Sequence, residues 1–293
     1  MEDVTLNRPE TRASSIHPCR TWLWGMLTAT HLGPSVLVSA VTATLAWQGG
    51  RGSATWWVLT AALAGQFSVG WSNDFFDADR DRRAGRNEKP VVAGWVTSRQ
   101  LAVASVLALL CCVVLSCQSG AMAATVHLVA VMSAISYNVV LKMTRASFLP
   151  YALSFALLPA FVTLGSTRHS WPHWWEMLAV GLIGTGAHFV NAVKDLEADA
   201  RINQRGLAHE IGHRASLILG AACVSGGAVT LTMGMPAHRG TWWFLALVLM
   251  VCAASARAGR RWPRTAWYLL CAAAVVSLIL FVVGNAGIPH GLN

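Results

Sequence analysis

Two short polar segments hold most of the groups in this chain that could do chemistry. The first reads Asn73-Asp74-Phe75-Phe76-Asp77-Ala78-Asp79-Arg80-Asp81, and the second runs from Asn191 through Lys194, Asp195, Leu196, Glu197 and Ala198 to Asp199. On a helix, Asn73, Asp77 and Asp81 stack at i, i+4 and i+8, and Asn191, Asp195 and Asp199 repeat that spacing. Nine of the 13 acidic residues lie in or just after these segments: Asp74, Asp77, Asp79, Asp81, Glu88, Asp195, Glu197, Asp199 and Glu210. Facing carboxylates repel, and two unit charges about 4 Å apart cost roughly 4 kcal/mol at an effective dielectric of 20. A cation is therefore expected between them. Rows of Asp and Asn oxygens suit Mg²⁺, which prefers hard oxygen ligands and binds through a few carboxylates together with substrate phosphates. The expected ligand is a Mg²⁺-bound diphosphate, with nearby Arg and Lys neutralising its remaining oxygens.

The two segments also read as copies of one unit. At a constant offset of 118 residues, Asn73 falls on Asn191, Asp77 on Asp195, Asp81 on Asp199, Arg83 on Arg201 and Gly94 on Gly212. Five polar or glycine identities at one spacing predict a bundle whose halves place equivalent acidic faces across a shared cavity.

The rest of the sequence states what must position those faces. Of 293 residues, 55% are hydrophobic and only 12% charged, against roughly 25% charged in a soluble domain. The apolar residues fall in runs of about twenty, the length that crosses a bilayer core. Nine spans are expected, near 31–48, 54–74, 99–117, 120–141, 147–166, 174–193, 215–234, 241–256 and 266–286. His31, Gly33 and Pro34 interrupt the longer stretch 19–48, so a short interfacial helix carrying Arg20, Trp22 and Trp24 should precede the first span. The expected architecture is an all-α integral membrane bundle of nine transmembrane helices with pseudo-symmetric halves around a central cavity. Residues 1–18 read as a cytosolic tail without the apolar core of a signal peptide. Residues 19–293 read as one transmembrane catalytic domain with cytosolic loops at about 75–98 and 194–214.

Basic residues set the orientation. Nineteen of the 22 Lys and Arg fall on the face of the N-terminus, and only Arg51, Arg168 and Arg239 on the other. The N-terminus and both acidic segments are thus expected in the cytosol, with the C-terminus opposite. The net charge of +9 then reflects topology and contact with membrane lipid, not nucleic acid. The seven cysteines lack the spacing of a zinc site or a disulfide framework and read as small core residues.

On these residues the sequence resembles the UbiA superfamily of intramembrane prenyltransferases. Asn73, Asp74, Asp77 and Asp81 fit its NDxxDxxxD motif, and Asp195 with Asp199 fits its second, DxxxD. Gly85-Arg86-Asn87-Glu88-Lys89-Pro90 is similar to the family's basic-Pro segment. Tyr137-Asn138 with Leu141-Lys142, then Pro150-Tyr151, is similar to the stretch after span 4 in bacterial members. The resemblance implies Mg²⁺-dependent transfer of an isoprenyl group from an allylic prenyl diphosphate to a small acceptor, aromatic or a quinone precursor, in a bacterial plasma membrane. It also implies roles: Asn73, Asp77, Asp81, Asp195 and Asp199 as metal ligands, with Asp77 and Asp195 central to catalysis. Lys142 comes first among the diphosphate partners, joined by Lys194, Arg86, Lys89, Asn191 and Tyr137. Asp74 belongs to the motif but lies one residue off the stacked face.

The motifs leave other readings open. A membrane terpene cyclase needs the same diphosphate trap, and so does a non-enzymatic lipid-diphosphate binding protein. A transporter would carry ionisable groups near the bilayer midplane, where these spans have almost none. His188, three residues before Asn191, reads either as a cavity group that orients an acceptor or takes a proton, or as a helix-packing histidine. His127 reads as structural.

Overall fold

The computed structural model of the chain describes residues 18–167, 169–200, 206–235, 239–259 and 261–286. Those residues are helical apart from short connections. A short helix α1 (Pro18–Thr28) leads into α2 (Leu32–Ala46), α3 (Thr55–Ala84), α4 (Ser98–Cys117), α5 (Ala121–Val139), α6 (Leu149–Leu164), α7 (Trp174–Ala200), α8 (Leu207–Gly234), α9 (Arg239–Ala258) and α10 (Pro263–Ala286). Among the described residues, α2 to α10 correspond one for one to the nine expected spans, and α1 is a separate short helix over the stretch expected to precede them. The chain bends by 56° at the break between Thr28 and Leu32, a junction where His31 adopts a left-handed φ of 52°. The protein is a multi-pass membrane protein: six helices are individually long and apolar enough to span, and α6 is a shorter apolar helix.

The acidic segments are helical further than expected. Helix α3 has 30 residues, about 45 Å at 1.5 Å per residue, against a hydrocarbon core of about 30 Å. Its last turns therefore stand clear of the apolar layer, and the connection to α4 is only 85–97, shorter than the expected 75–98. Gly85, at φ 68°, ends α3 in the left-handed conformation that a side chain would resist. A capping box between Thr97 and Gln100 then starts α4. Likewise α7 continues to Ala200 and α8 begins at Leu207, which narrows the second connection from the expected 194–214.

The internal repeat is structural. Moved on by 118 residues, the C-terminal ends of α2, α3, α4 and α5 fall within two residues of those of α6, α7, α8 and α9. Gly94 and Gly212, paired by the same shift, share left-handed φ values of 73° and 78°, and Gly212 breaks α8 where Gly94 precedes α4. The two most extensive helix contacts, α3 with α4 and α7 with α8, are equivalent pairs in the two halves. Small residues allow the close packing. A Cβ on Gly70 would lie 2.7 Å from the Thr30 carbonyl oxygen, so only glycine lets α3 reach the α1–α2 junction. One apolar core joins α2, α3, α5, α6, α7, α8 and α10 around Phe161, Ile183 and Phe281. On α4, Val103, Val106, Leu107, Leu110 and Val114 form an exposed stripe facing lipid.

Candidate active site

The last turns of α3 gather the first acidic segment. Asp74, Asp77 and Asp81 are only 3%, 3% and 2% exposed, whereas the Asp79 side chain is 85% exposed. Burial sorts the three motif carboxylates from the solvated one, and each is met by a cation. Lys89 donates to Asp74 at 2.8 Å, and His31 Nε2 lies 3.3 Å from the same oxygen. Arg80 and Lys142 donate to opposite oxygens of Asp77. Arg86 donates to Asp81 at 3.0 Å. Buried carboxylates persist only when paired and hydrogen-bonded, and here the partners come from α3 itself, the α1–α2 junction, the connection after α3 and the turn after α5.

Local folding explains how those cations arrive. Helix α5 stops at Val139, and a single tight turn, Leu141–Met143, carries Lys142 back over the end of α3. The Gly206 backbone packs against this turn so closely that a Cβ there would sit 2.9 Å from the Lys142 carbonyl oxygen. Gly85 reverses the chain after α3 and returns Arg86 and Lys89 to the carboxylates. Trp71 donates to the Met26 carbonyl at 2.9 Å, beside the Gly70–Thr30 contact, and so holds the junction that presents His31.

The charges respond to this crowding. Burial holds the Asp81 carboxyl above its ordinary value; Lys89 pulls it down, and the neighbouring Asp77 adds to the rise. For Lys89, burial works against the ammonium, but Asp74, with Asp81 and Asp77 behind it, outweighs burial and raises its pKa. Lys89 therefore stays cationic.

The structure shows what the expected site residues touch. Asn73 donates to Asn138 Oδ1 at 3.0 Å, and Asn138 in turn donates to Val69 O at 2.9 Å and Ser72 Oγ at 2.8 Å, so Asn73 joins α3 to α5. Lys142, Arg86 and Lys89, expected on a diphosphate, rest on the motif carboxylates. Tyr137 lies under Lys142, whose ammonium is 5.9 Å from the ring centre. Asn191 sits half-buried on α7. The backbone of α7 carries Lys194, Asp195 and Asp199, but their side chains lie outside the described residues. Arg80, His31 and Asn138 were not expected in this role. Arg80 had a signal, since it stands one turn after Asp77; His31 had none, because nothing in the sequence joins it to Asp74, 43 residues on.

Below Lys142 the surroundings turn aromatic. Tyr137 and Tyr151 meet edge to face at 5.2 Å, and Tyr151 stacks toward Phe155 at 6.4 Å. Phe155 then lines an apolar pocket with Val38, Leu45, Val180, Leu278 and Phe281, between α2, α6, α7 and α10. The side chains thus grade from buried charge through aromatic rings to hydrocarbon. His127 is structural as expected: it bonds Ser116 at 2.8 Å and stacks on Phe161 at 4.1 Å.

This arrangement bears directly on family membership. The model of the UbiA prenyltransferase family matches residues 35–266. The chain belongs to that family. Solved UbiA folds superpose over nearly the whole chain. A digeranylgeranylglyceryl phosphate synthase shares 14% identity, covering 91% of this chain and 99% of its own, with a TM-score of 0.65. A UbiA homologue from Archaeoglobus fulgidus bound to DMAPP and Mg²⁺ shares 13% identity over 90% of this chain and 99% of its own, with a TM-score of 0.65. The UbiA homologue from Aeropyrum pernix K1 shares 15% identity over 85% of this chain and 97% of its own, with a TM-score of 0.66. No curated protein matches the chain by sequence.

Proposed function

We propose that this UbiA family member transfers an isoprenyl group from an allylic prenyl diphosphate to a small acceptor, aromatic or a quinone precursor, with Mg²⁺ as cofactor. The observation that carries this reading is the buried row of Asp74, Asp77 and Asp81, enclosed by Lys89, Arg80, Lys142 and Arg86 at the head of an aromatic and then apolar path. A charged head with a greasy tail fits that gradient. The A. fulgidus homologue bound to GPP and Mg²⁺ has the same fold, which supports a ligand of this class here.

The donor set fits Mg²⁺. Among the described residues no three His, Cys, Asp or Glu side chains converge on one point, and Mg²⁺ asks for less, taking one or two carboxylates plus substrate phosphates. Asp77 and Asp81, hard oxygen donors one turn apart, would hold it, with Asp195 and Asp199 as the expected partners from α7. Bound there, the ion would neutralise the diphosphate as its charge develops.

The protein's own groups do the rest. Lys142, Arg80, Arg86 and Lys89 exchange carboxylate oxygens for diphosphate oxygens, and in that position stabilise the leaving group as the allylic C1–O bond breaks and its electron pair departs. Tyr137, under Lys142, faces the cation side. The apolar side chains beyond Phe155 give the tail a hydrocarbon lining and keep water from the allylic centre. The acceptor supplies the pair that forms the new bond. The charge distribution of the loops orients the N-terminus and this site to the cytosol.

The test is a product profile. Purified protein receives Mg²⁺ with geranyl, farnesyl or geranylgeranyl diphosphate, with and without 4-hydroxybenzoate, homogentisate or 1,4-dihydroxy-2-naphthoate. Prenylated ring products that require the acceptor are expected. A cyclic hydrocarbon or alcohol formed without acceptor would replace transfer by cyclisation, and tight binding without turnover would make the protein a carrier.

A further inference from the structure

Asn138, in the last turn of α5, is 3% exposed, and both polar atoms of its side chain are engaged. Its amide nitrogen donates to the Val69 carbonyl at 2.9 Å and to Ser72 Oγ at 2.8 Å, while its Oδ1 accepts from Asn73 Nδ2 at 3.0 Å. Ser72 Oγ donates to the same Val69 carbonyl at 2.9 Å, which leaves its lone pairs for Asn138. These directions are not interchangeable. A backbone carbonyl only accepts, so the Asn138 atom on Val69 must be the nitrogen and the atom facing Asn73 must be the oxygen. An oxygen there is satisfied only by a donor, so Asn73 turns Nδ2 toward α5. The orientation of the Asn73 amide is thus dictated by a main-chain carbonyl of its own helix, transmitted through a side chain of α5.

The consequence lies on the other side of that amide. With Nδ2 committed to α5, the atom left is Oδ1, and among the described residues no donor meets it. Asn73 is only half-buried and stands one turn before Asp77 and two before Asp81 on the same face of α3. We propose that Asn138 is a positioning residue for the metal site, holding Asn73 so that its Oδ1 serves as an oxygen donor to the divalent cation of the bound diphosphate. This rests on the proposed use of a Mg²⁺-bound prenyl diphosphate. In this role Asn138 touches neither metal nor substrate and acts through Asn73 alone. A reversed Asn73 amide would offer the cation N–H groups, which repel it. The oxygen is a hard donor without charge, so it adds a ligand without adding to the repulsion among the buried carboxylates. Groups that orient a metal ligand in this way are typically worth about 10–100-fold in metal affinity.

The test uses Mn²⁺ as a paramagnetic substitute for Mg²⁺. Purified protein with geranyl S-thiolodiphosphate, whose sulfur replaces the oxygen on C1 and slows ionisation, is titrated with Mn²⁺ and followed by electron paramagnetic resonance. The wild type is compared with Asn73→Ala, Asn138→Leu, Asn138→Ser and the Asn73→Ala, Asn138→Leu double variant, and unfolding midpoints are recorded alongside. Mn²⁺ affinity should fall about 10–100-fold in Asn73→Ala and in each Asn138 variant, and the half-saturating Mg²⁺ for turnover of geranyl diphosphate should rise by the same factor. The double variant should match Asn73→Ala within about twofold, because residues that act through one another are not additive. Folded Asn138 variants with wild-type Mn²⁺ affinity, losses that multiply in the double variant, or an Asn73→Ala that binds Mn²⁺ as the wild type does would each contradict the assignment. Failure of both Asn138 variants to fold would likewise reduce Asn138 to a packing residue. If the wild type binds no Mn²⁺ with the analogue, the diphosphate reading itself falls and takes this assignment with it.

Discussion

The Lys142 ammonium rests on the Asp77 carboxylate although 65 residues separate them in sequence. That contact ties the turn after α5 to the end of α3, and it brings together the two side chains on which the proposed chemistry depends most. Arg80 holds the other oxygen of Asp77. Asp77→Asn keeps the shape but removes the charge, and it should lower turnover of geranyl diphosphate at least a hundredfold. Lys142→Met should do likewise, since removing a single preorganised group that stabilises developing charge costs about 10²–10³ in rate. Steady-state product formation in each variant measures this.

The pair of Asp74 with Lys89 is structural as well as electrostatic. Asp74 is 3% exposed and Lys89 22% by side chain, and breaking a buried pair by removing one partner typically costs about 3–5 kcal/mol. Because Lys89 keeps some contact with solvent, Lys89→Met should fall at the low end of that range, seen as a lower unfolding midpoint in detergent. Arg145→Met is the control: Arg145 pairs with Glu210 at 2.8 Å, but with 81% of its side chain exposed, and a surface pair of this kind is worth about 0–1 kcal/mol.

Gly70→Ala should destabilise the protein although alanine is the better helix former. The new Cβ would meet the Thr30 backbone at 2.7 Å to its carbonyl oxygen, and overpacking of this sort costs about 1–3 kcal/mol, more than the roughly 1 kcal/mol gained in propensity. The strain would push on the junction that presents His31 to Asp74. Gly226→Ala, whose Cβ would meet only Leu182 Cδ1 at 3.5 Å, should be neutral or mildly stabilising. Unfolding midpoints of the two variants separate the effects.

Much of the fold could be read in the sequence because its period is imposed by the bilayer. The nine spans, the break at His31 and the 118-residue repeat follow from apolar run length, breaker residues and polar identities, all of them local or self-similar signals. The ends of α3 and α7 were harder to read. Loss of hydrophobicity marks where the membrane stops, not where the helix stops, and Gly85 sets the end of α3 some ten residues later. At the site, Asp74, Asp77 and Asp81 announced themselves by spacing. Their pairing did not, since which cation reaches which carboxylate depends on turns such as Leu141–Met143 and on the close approach of α3 to Thr30. Asn73 shows the same limit: the bond that its amide nitrogen donates to Asn138 is a contact between two helices that no single-helix pattern encodes.

In the proposed mechanism the acidic ends of α3 and α7 jointly hold Mg²⁺ on a prenyl diphosphate and drive its ionisation. Release of diphosphate from geranyl diphosphate, followed against Mg²⁺ concentration in the wild type, Asp77→Ala and Asp195→Ala, is the decisive measurement. Saturable Mg²⁺ dependence in the wild type, with release reduced at least a hundredfold in each variant and abolished by a chelator, is the expected result; release that is independent of Mg²⁺, or retained in both variants, would overturn the mechanism.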